Sequence, residues 1–319
     1  MISSQTVTAP TSGMDVVAFN GWPNNLRLCN GTVELIITLD VGPRILSYKT
    51  IGGVNPFKIY EDQAGTTGEP AWRNRGGHRL WIAPEDREIT YFPDNAPVAW
   101  EHVFELGARL TPPPEHASGF QKQIDVALDP VGTGVTITHR VTRLGFTPAR
   151  LAVWALTVMK PGGVAIVPHP PMGEHPRDLL PNRSLVLWPY TDMSDPRWHF
   201  RQNYLLLRQD PARGATKVGL VHQPGWCAYL VNGVLFVKRY AWNPAAVYPD
   251  CGCNFEMFSN GKMLEIESLG PVRQLNPQES VEHVERWELR EGPVDLEANS
   301  NEELDALIRP ILEECGQPE

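Results

Sequence analysis

The run Arg75-Gly76-Gly77-His78-Arg79-Leu80-Trp81-Ile82-Ala83-Pro84-Glu85 brings together two arginines, a histidine, a tryptophan and a glutamate. Arginine presents a planar fork of donors to hydroxyls or carboxylates, and an indole offers a flat face for stacking. Paired glycines permit close backbone approach or dihedrals that other residues avoid. A turn leading into a salt-bridged strand would use the same residues. On a strand, side chains alternate, so His78 and Leu80 share one face and Arg79 and Trp81 the other. Only one of these pairs can face a ligand, and Arg79 with Trp81 is the expectation.

Glutamates make the second candidate. After Asn254-Phe255-Glu256 comes Met263-Leu264-Glu265-Ile266-Glu267-Ser268-Leu269-Gly270-Pro271. Glu265 and Glu267 would point the same way from a strand, about 7 Å apart. In a cleft each carboxylate raises the other's pKa, which suits general acid-base chemistry. On an open face they would simply be solvated.

The remaining candidates carry less. His169-Pro170-Pro171-Met172-Gly173-Glu174-His175 puts two histidines and a glutamate on a proline-rich loop, a spacing with no metal-ligand pattern. His222, Lys238, Tyr248 and Asp250 fall near hairpin or strand ends, and His139 sits among Val135, Ile137 and Val141 as a core residue. Cys251-Gly252-Cys253 lacks the second cysteine pair of a zinc site. The chain contains no phosphate-binding glycine loop, no dinucleotide fingerprint, no nucleophile elbow and no paired-histidine zinc motif. Neither a metal nor a cofactor is expected.

The elements that must position these residues follow from composition and period. The chain has 319 residues, 28 Lys plus Arg against 37 Asp plus Glu, and a net charge of −9. An acidic chain offers no electrostatic footprint for nucleic acid. With 42% hydrophobic residues it can build a core, while 30 prolines argue against a helical bundle. The longest apolar stretch, Leu151 to Met159, is far short of the roughly 20 residues a membrane helix needs. The Ser/Thr-rich N-terminus has no basic and apolar leader pattern, and five scattered cysteines suggest no disulfide framework, so a reducing cytoplasm is expected.

Alternating runs dominate. Gln121 to Asp129, Val135 to Val141, Trp226 to Val231, Val234 to Tyr240, Phe255 to Phe258 and Met263 to Glu267 read as strands. So do Val33 to Leu39, Arg44 to Lys49, Leu151 to Met159, Ser184 to Trp188 and Val281 to Leu289. Asn232-Gly233 and Asn260-Gly261 read as hairpin turns. Leu304, Leu307, Ile308 and Ile311 recur at helical spacing behind a Ser300/Glu303 capping box, giving a short helix over 299–313 that Pro310 kinks or ends. Proline-rich stretches at 93–97, 111–115 and 168–181 read as long loops, and no linker divides the chain. The expected architecture is all-β: one large antiparallel β-sandwich domain over 1–319 with a short C-terminal helix.

Several of these segments together resemble the galactose mutarotase-like superfamily. The resemblance rests on Asn30-Gly31-Thr32-Val33-Glu34, Val41-Gly42-Pro43-Arg44-Ile45, Gly52-Gly53-Val54-Asn55, Arg75 to Trp81, Leu264 to Pro271 and Glu285-Arg286-Trp287-Glu288-Leu289, and spans roughly 15–292. It is closest to an uncharacterised branch. It implies a supersandwich of antiparallel sheets with a sugar-binding concave face. Arg75 looks like the family's sugar-binding arginine, and Glu267, beside Glu265, looks like its catalytic base. The strand that carries the family's acid histidine here reads Val153-Trp154-Ala155-Leu156-Thr157, and His169 and His78 are the histidines offered in its place.

The functional expectation is an aldose 1-epimerase acting on a free sugar, with Glu267 as base and His78 or His169 as acid. Arg75, Arg79, Trp81, Glu265, Glu256, Lys238 and His222 would bind substrate. The alternatives are a non-catalytic sugar-binding protein and a glycan lyase or hydrolase using Glu265 and Glu267. A small carbohydrate is the expected partner, with no nucleic acid and no membrane.

Overall fold

The computed structural model of the chain describes residues 12–292 and 301–314. Its strands form two antiparallel sheets of eleven and ten strands, so the fold is the expected all-β sandwich. The first sheet runs from Gly13–Phe19 through Trp22–Cys29, Val33–Thr38, Arg44–Thr50, Gly77–Ala83, Ala149–Met159, Met263–Leu269, Phe255–Asn260 and Thr216–Leu220 to Val186–Leu187. The second centres on Val234–Tyr240, Ser280–Glu291 and Val135–Arg143.

Alternation decides which side chains face inward. Leu80, Ile82, Val153 and Ile266 of the first sheet meet Ile124, Val126, Ile137, Phe236 and Trp287 of the second in one buried cluster. Each such side chain contributes about 1.5–3 kcal/mol by leaving water. The odd-numbered partners on the central strands, Arg79, Trp81, Glu265 and Glu267, therefore point to the outer face of the first sheet.

Turn chemistry fixes the registers. Asn232 and Gly233 adopt φ of 49° and 78°, the two positive values a type I′ hairpin needs. Asn20 and Gly21 do the same at 49° and 86°, closing a first hairpin the sequence reading did not single out. At Asn260-Gly261 the turn is displaced by one residue. Asn260 pairs with Met263, so the tip is Gly261-Lys262. The Asn260 Oδ1 accepts from the Lys262 and Met263 amides at 2.8 and 3.2 Å, closing the turn through the side chain.

The helix is found at Asn301–Glu314, close to the expected span, and Pro310 lies within it rather than ending it. Leu304 and Ile308 are buried against Trp226, Ala228, Leu235 and Val237 on the outer face of the second sheet. The capping residue Ser300 lies outside the described residues.

One device sets the strand that matters most. Gly76 and Gly77 have φ of 84° and 70°. A Cβ would meet the Lys58 carbonyl oxygen at 2.0 Å from the first and the Ile45 carbonyl oxygen at 2.5 Å from the second. Only glycine fits, and the pair launches Gly77–Ala83 into the sheet centre.

Candidate functional site

A cavity of about 290 Å³ opens on the outer face of the first sheet. Its floor is built by five adjacent strands, which contribute Arg79 and Trp81, then Trp154 and Leu156, then Glu265 and Glu267, then Phe258, and finally Lys217. Register brings them together: Trp81 stands opposite Trp154, Leu156 opposite Glu267, and Glu267 opposite Glu256. Trp72, Glu85, Tyr91 and Tyr190 come from loops and form the walls. The volume is at the small end of the range of about 300–1,000 Å³ for ligand pockets.

Aromatic faces and ion pairs share this space. The rings of Trp81 and Trp72 lie 5.0 Å apart, Trp81 and Tyr91 4.9 Å, and Trp81 and Trp154 5.4 Å. The Arg79 guanidinium lies 4.2 Å from the Trp81 ring centre and donates to Glu265 Oε1 at 2.8 Å. The Lys217 ammonium lies 4.6 Å from the Trp154 ring and 4.7 Å from that of Trp188. It pairs with Glu256 at 2.7 Å and with Glu267 Oε2 at 3.1 Å. Trp154 Nε1 also donates to Glu267 Oε2, at 3.0 Å, while Glu267 Oε1 has no partner.

Burial governs the charges. It pushes the Glu256 carboxyl up to about 8 against the opposing pull of Lys217, with the negative charge of Glu267 adding to the rise. Glu267 moves the same way, again through burial opposed by Lys217, with Glu265 adding repulsion. Lys217, held between two carboxylates, is raised although burial alone would lower it. Burial also moves the Tyr190 phenol up to about 12.

Several candidates from the sequence lie elsewhere. His78 points into the sandwich, because it alternates with Arg79. Its Nδ1 is 2.9 Å from Thr157 Oγ1 and its Nε2 2.6 Å from His139 Nε2, and it is fully buried. His169 follows Val164–Pro168 and lines a separate depression with Pro168, Tyr204 and Trp226. Arg75, with φ of 52°, is buried and donates to the Thr66 carbonyl and to Glu69 at 3.2 and 2.5 Å. His222 is buried, with contacts of 2.6 Å to the Tyr240 hydroxyl and 2.9 Å to the Pro168 carbonyl. Lys238 is buried between the sheets and pairs with Glu285 at 2.8 Å. None of these five lines the cavity. Glu256 is fully buried and does not line the cavity either, but it pairs with Lys217, which does.

Lys217, Trp154, Tyr190, Trp72 and Tyr91 were absent from the sequence candidates. Thr216-Lys217-Val218 alternates like any strand, and nothing local marks its lysine. Trp154 occupies a strand that supplied no candidate because it lacks the family's histidine.

His78, His139 and Glu285 gather ligand atoms within 4.8 Å of one another. Two nitrogens bound at 2.0–2.1 Å to one tetrahedral zinc would stand about 3.3 Å apart. The 2.6 Å between these Nε2 atoms is instead a hydrogen bond, and Lys238 already occupies the Glu285 carboxylate. His139 Nδ1 donates to the His283 carbonyl at 2.9 Å, leaving Nε2 to accept from His78. The cluster suits a closed hydrogen-bond chain between the sheets.

No family model matches the sequence, and no curated protein does. Solved structures do match in shape. A galactose mutarotase-like protein from Lactobacillus casei superposes with a TM-score of 0.56 at 8% identity, over 84% of this chain and 100% of that one. A galactose mutarotase-like protein from Clostridium acetobutylicum gives 0.56 at 12%, over 88% and 99%. Slr1438 from Synechocystis gives 0.55 at 10%, over 91% and 100%. The chain has the fold of the galactose mutarotase-like proteins.

Proposed function

We propose that this protein recognises a single sugar ring in the cavity over Trp81, Trp154 and Glu267. One observation carries the reading: residues lining one aromatic-faced cavity hold both unpaired donors and an unpaired acceptor. Trp72 Nε1 and Arg79 Nε donate to nothing, and Glu267 Oε1 accepts from nothing. Buried polar atoms left without partners cost about 1–3 kcal/mol each. A pyranose satisfies such atoms, because each hydroxyl both donates and accepts, while its C–H face packs on an indole ring. The likeness to galactose mutarotase-like structures adds to the case.

A second reading, 1-epimerisation of an aldose, is favoured by the free oxygen and raised pKa of Glu267. In it Glu267 takes the anomeric hydroxyl proton. No histidine lines the cavity among the described residues, and the Tyr190 phenol, which lines it, would give the ring-oxygen proton while the Tyr91 hydroxyl is engaged with Glu85. Calorimetric titration with free hexoses, combined with exchange NMR between their anomers, separates the two. Binding without accelerated exchange supports recognition alone, accelerated exchange supports the second reading, and neither removes both.

A further inference from the structure

The cavity gathers more acidic than basic side chains. Glu85, Glu265 and Glu267 line it, with Glu256 paired to Lys217, against two cations, Arg79 and Lys217. Arg79 is committed to Glu265. Lys217 is shared between Glu256 and Glu267. Glu85 accepts from the Tyr91 hydroxyl, which brings no charge. The neighbouring guanidiniums are engaged with acids of their own, Arg44 with Asp94 at 2.8 Å and Arg75 with Glu69 at 2.5 Å.

The aromatic walls already bind cations. Arg79 lies over Trp81 and Trp72, and Lys217 over Trp154 and Trp188. Indole and phenol faces attract a positive charge, more strongly when it is desolvated. Tyr91 packs on both Trp72 and Trp81, at 5.4 and 4.9 Å between ring centres. Glu267 lines the cavity with its side chain 1% exposed, and its buried Oε1 has no partner.

We infer that the cavity selects a sugar bearing a free ammonium group, an amino sugar, over the neutral parent sugar and over phosphorylated or carboxylated sugars. The ammonium would donate to Glu267 Oε1 and add a third cation beside the four acids. The inference rests on the sugar-recognition reading above. A phosphate or uronate would add negative charge beside Glu267 and Glu85 with no uncommitted cation on the wall to meet it.

The test is calorimetric titration of the full chain with glucosamine, glucose, N-acetylglucosamine, glucose 6-phosphate and glucuronate, and with the galactose series, at a pH where the amine is protonated. The amino sugar should bind at least about tenfold tighter than its neutral parent and the acidic sugars weakest, with the preference shrinking as salt rises. Glu267→Gln should collapse the amino-over-neutral ratio towards one. Glu85→Gln, at an exposed rim position whose variant keeps the buried ion pairs, should lower that ratio several-fold. Neutral or phosphorylated sugars binding as tightly as the amino sugar overturn the inference and leave the sugar reading standing. Binding by none of the panel removes the sugar reading itself.

Discussion

Lys217 Nζ stands 3.1 Å from Glu267 Oε2 while also lying 2.7 Å from Glu256 Oε2, so one buried ammonium holds two buried carboxylates on neighbouring strands. Removing it leaves both acids without a cation. Lys217→Met should lower stability by about 3–5 kcal/mol near pH 7. The loss should be smaller near pH 5, where acidification makes it easier for the buried acids to be neutral. Urea denaturation at both pH values checks this, and an equal loss at both would contradict it.

The pH dependence of the wild type has two limbs of opposite sign. Glu256 moves from its ordinary 4.5 to about 8, so the folded chain keeps a proton that the unfolded chain has lost. Its contribution to stability is complete below about 4.5 and disappears as pH rises to about 8. Glu256→Gln should flatten the fall in unfolding free energy across that window.

His222 and His283 behave the other way. Burial lowers each from 6.5 to about 3, so the fold prefers them neutral. That stability is present above about 6.5 and is lost as pH falls towards 3. His222→Gln should therefore give a shallower loss of stability on acidification than wild type, measured by urea midpoints. A parallel acid limb would show that His222 is not among the groups driving it.

Behind the cavity floor, Lys238 and Glu285 form a fully buried pair, and Lys238 also donates to the Ile266 carbonyl at 3.2 Å. That carbonyl lies between Glu265 and Glu267, so the pair ties the acid-bearing strand to the second sheet. Lys238→Met alone should cost about 3–5 kcal/mol, because Glu285 is left charged. The double variant with Glu285→Gln should recover part of it, and a double-mutant cycle measures the coupling. Additive losses would contradict the pairing.

Gly77→Ala tests the strand that carries Arg79 and Trp81. Its φ of 70° and the 2.5 Å approach of the Ile45 carbonyl leave no room for a methyl group. Left-handed strain alone costs about 1–3 kcal/mol, and the clash adds to it. The thermal midpoint should fall by several degrees, and an unchanged midpoint would contradict the steric account.

Period two made much of this legible in the sequence. It paired Arg79 with Trp81 and Glu265 with Glu267, and each pair does share one face of its strand. The same period separates His78 from Arg79, so a histidine chosen for its nearness in sequence lies on the wrong side of the sheet. What no local pattern reveals is which strands become neighbours. Lys217 meets Glu267 only because Thr216–Leu220 pairs with Phe255–Asn260, which pairs with Met263–Leu269. Trp154 reaches the cavity because its strand separates the Arg79 and Glu267 strands. Asn20-Gly21, by contrast, carried a readable hairpin signal.

The central claim is that Glu267 offers its free oxygen to a bound sugar. Its most direct test is the ratio of dissociation constants between wild type and Glu267→Gln, at equal folded concentration, for the tightest-binding sugar. Cavity tryptophan fluorescence can report the titration. A hydrogen bond to a charged group is worth about 1.5–3 kcal/mol, so binding should weaken roughly 10- to 150-fold. Equal dissociation constants would contradict the account.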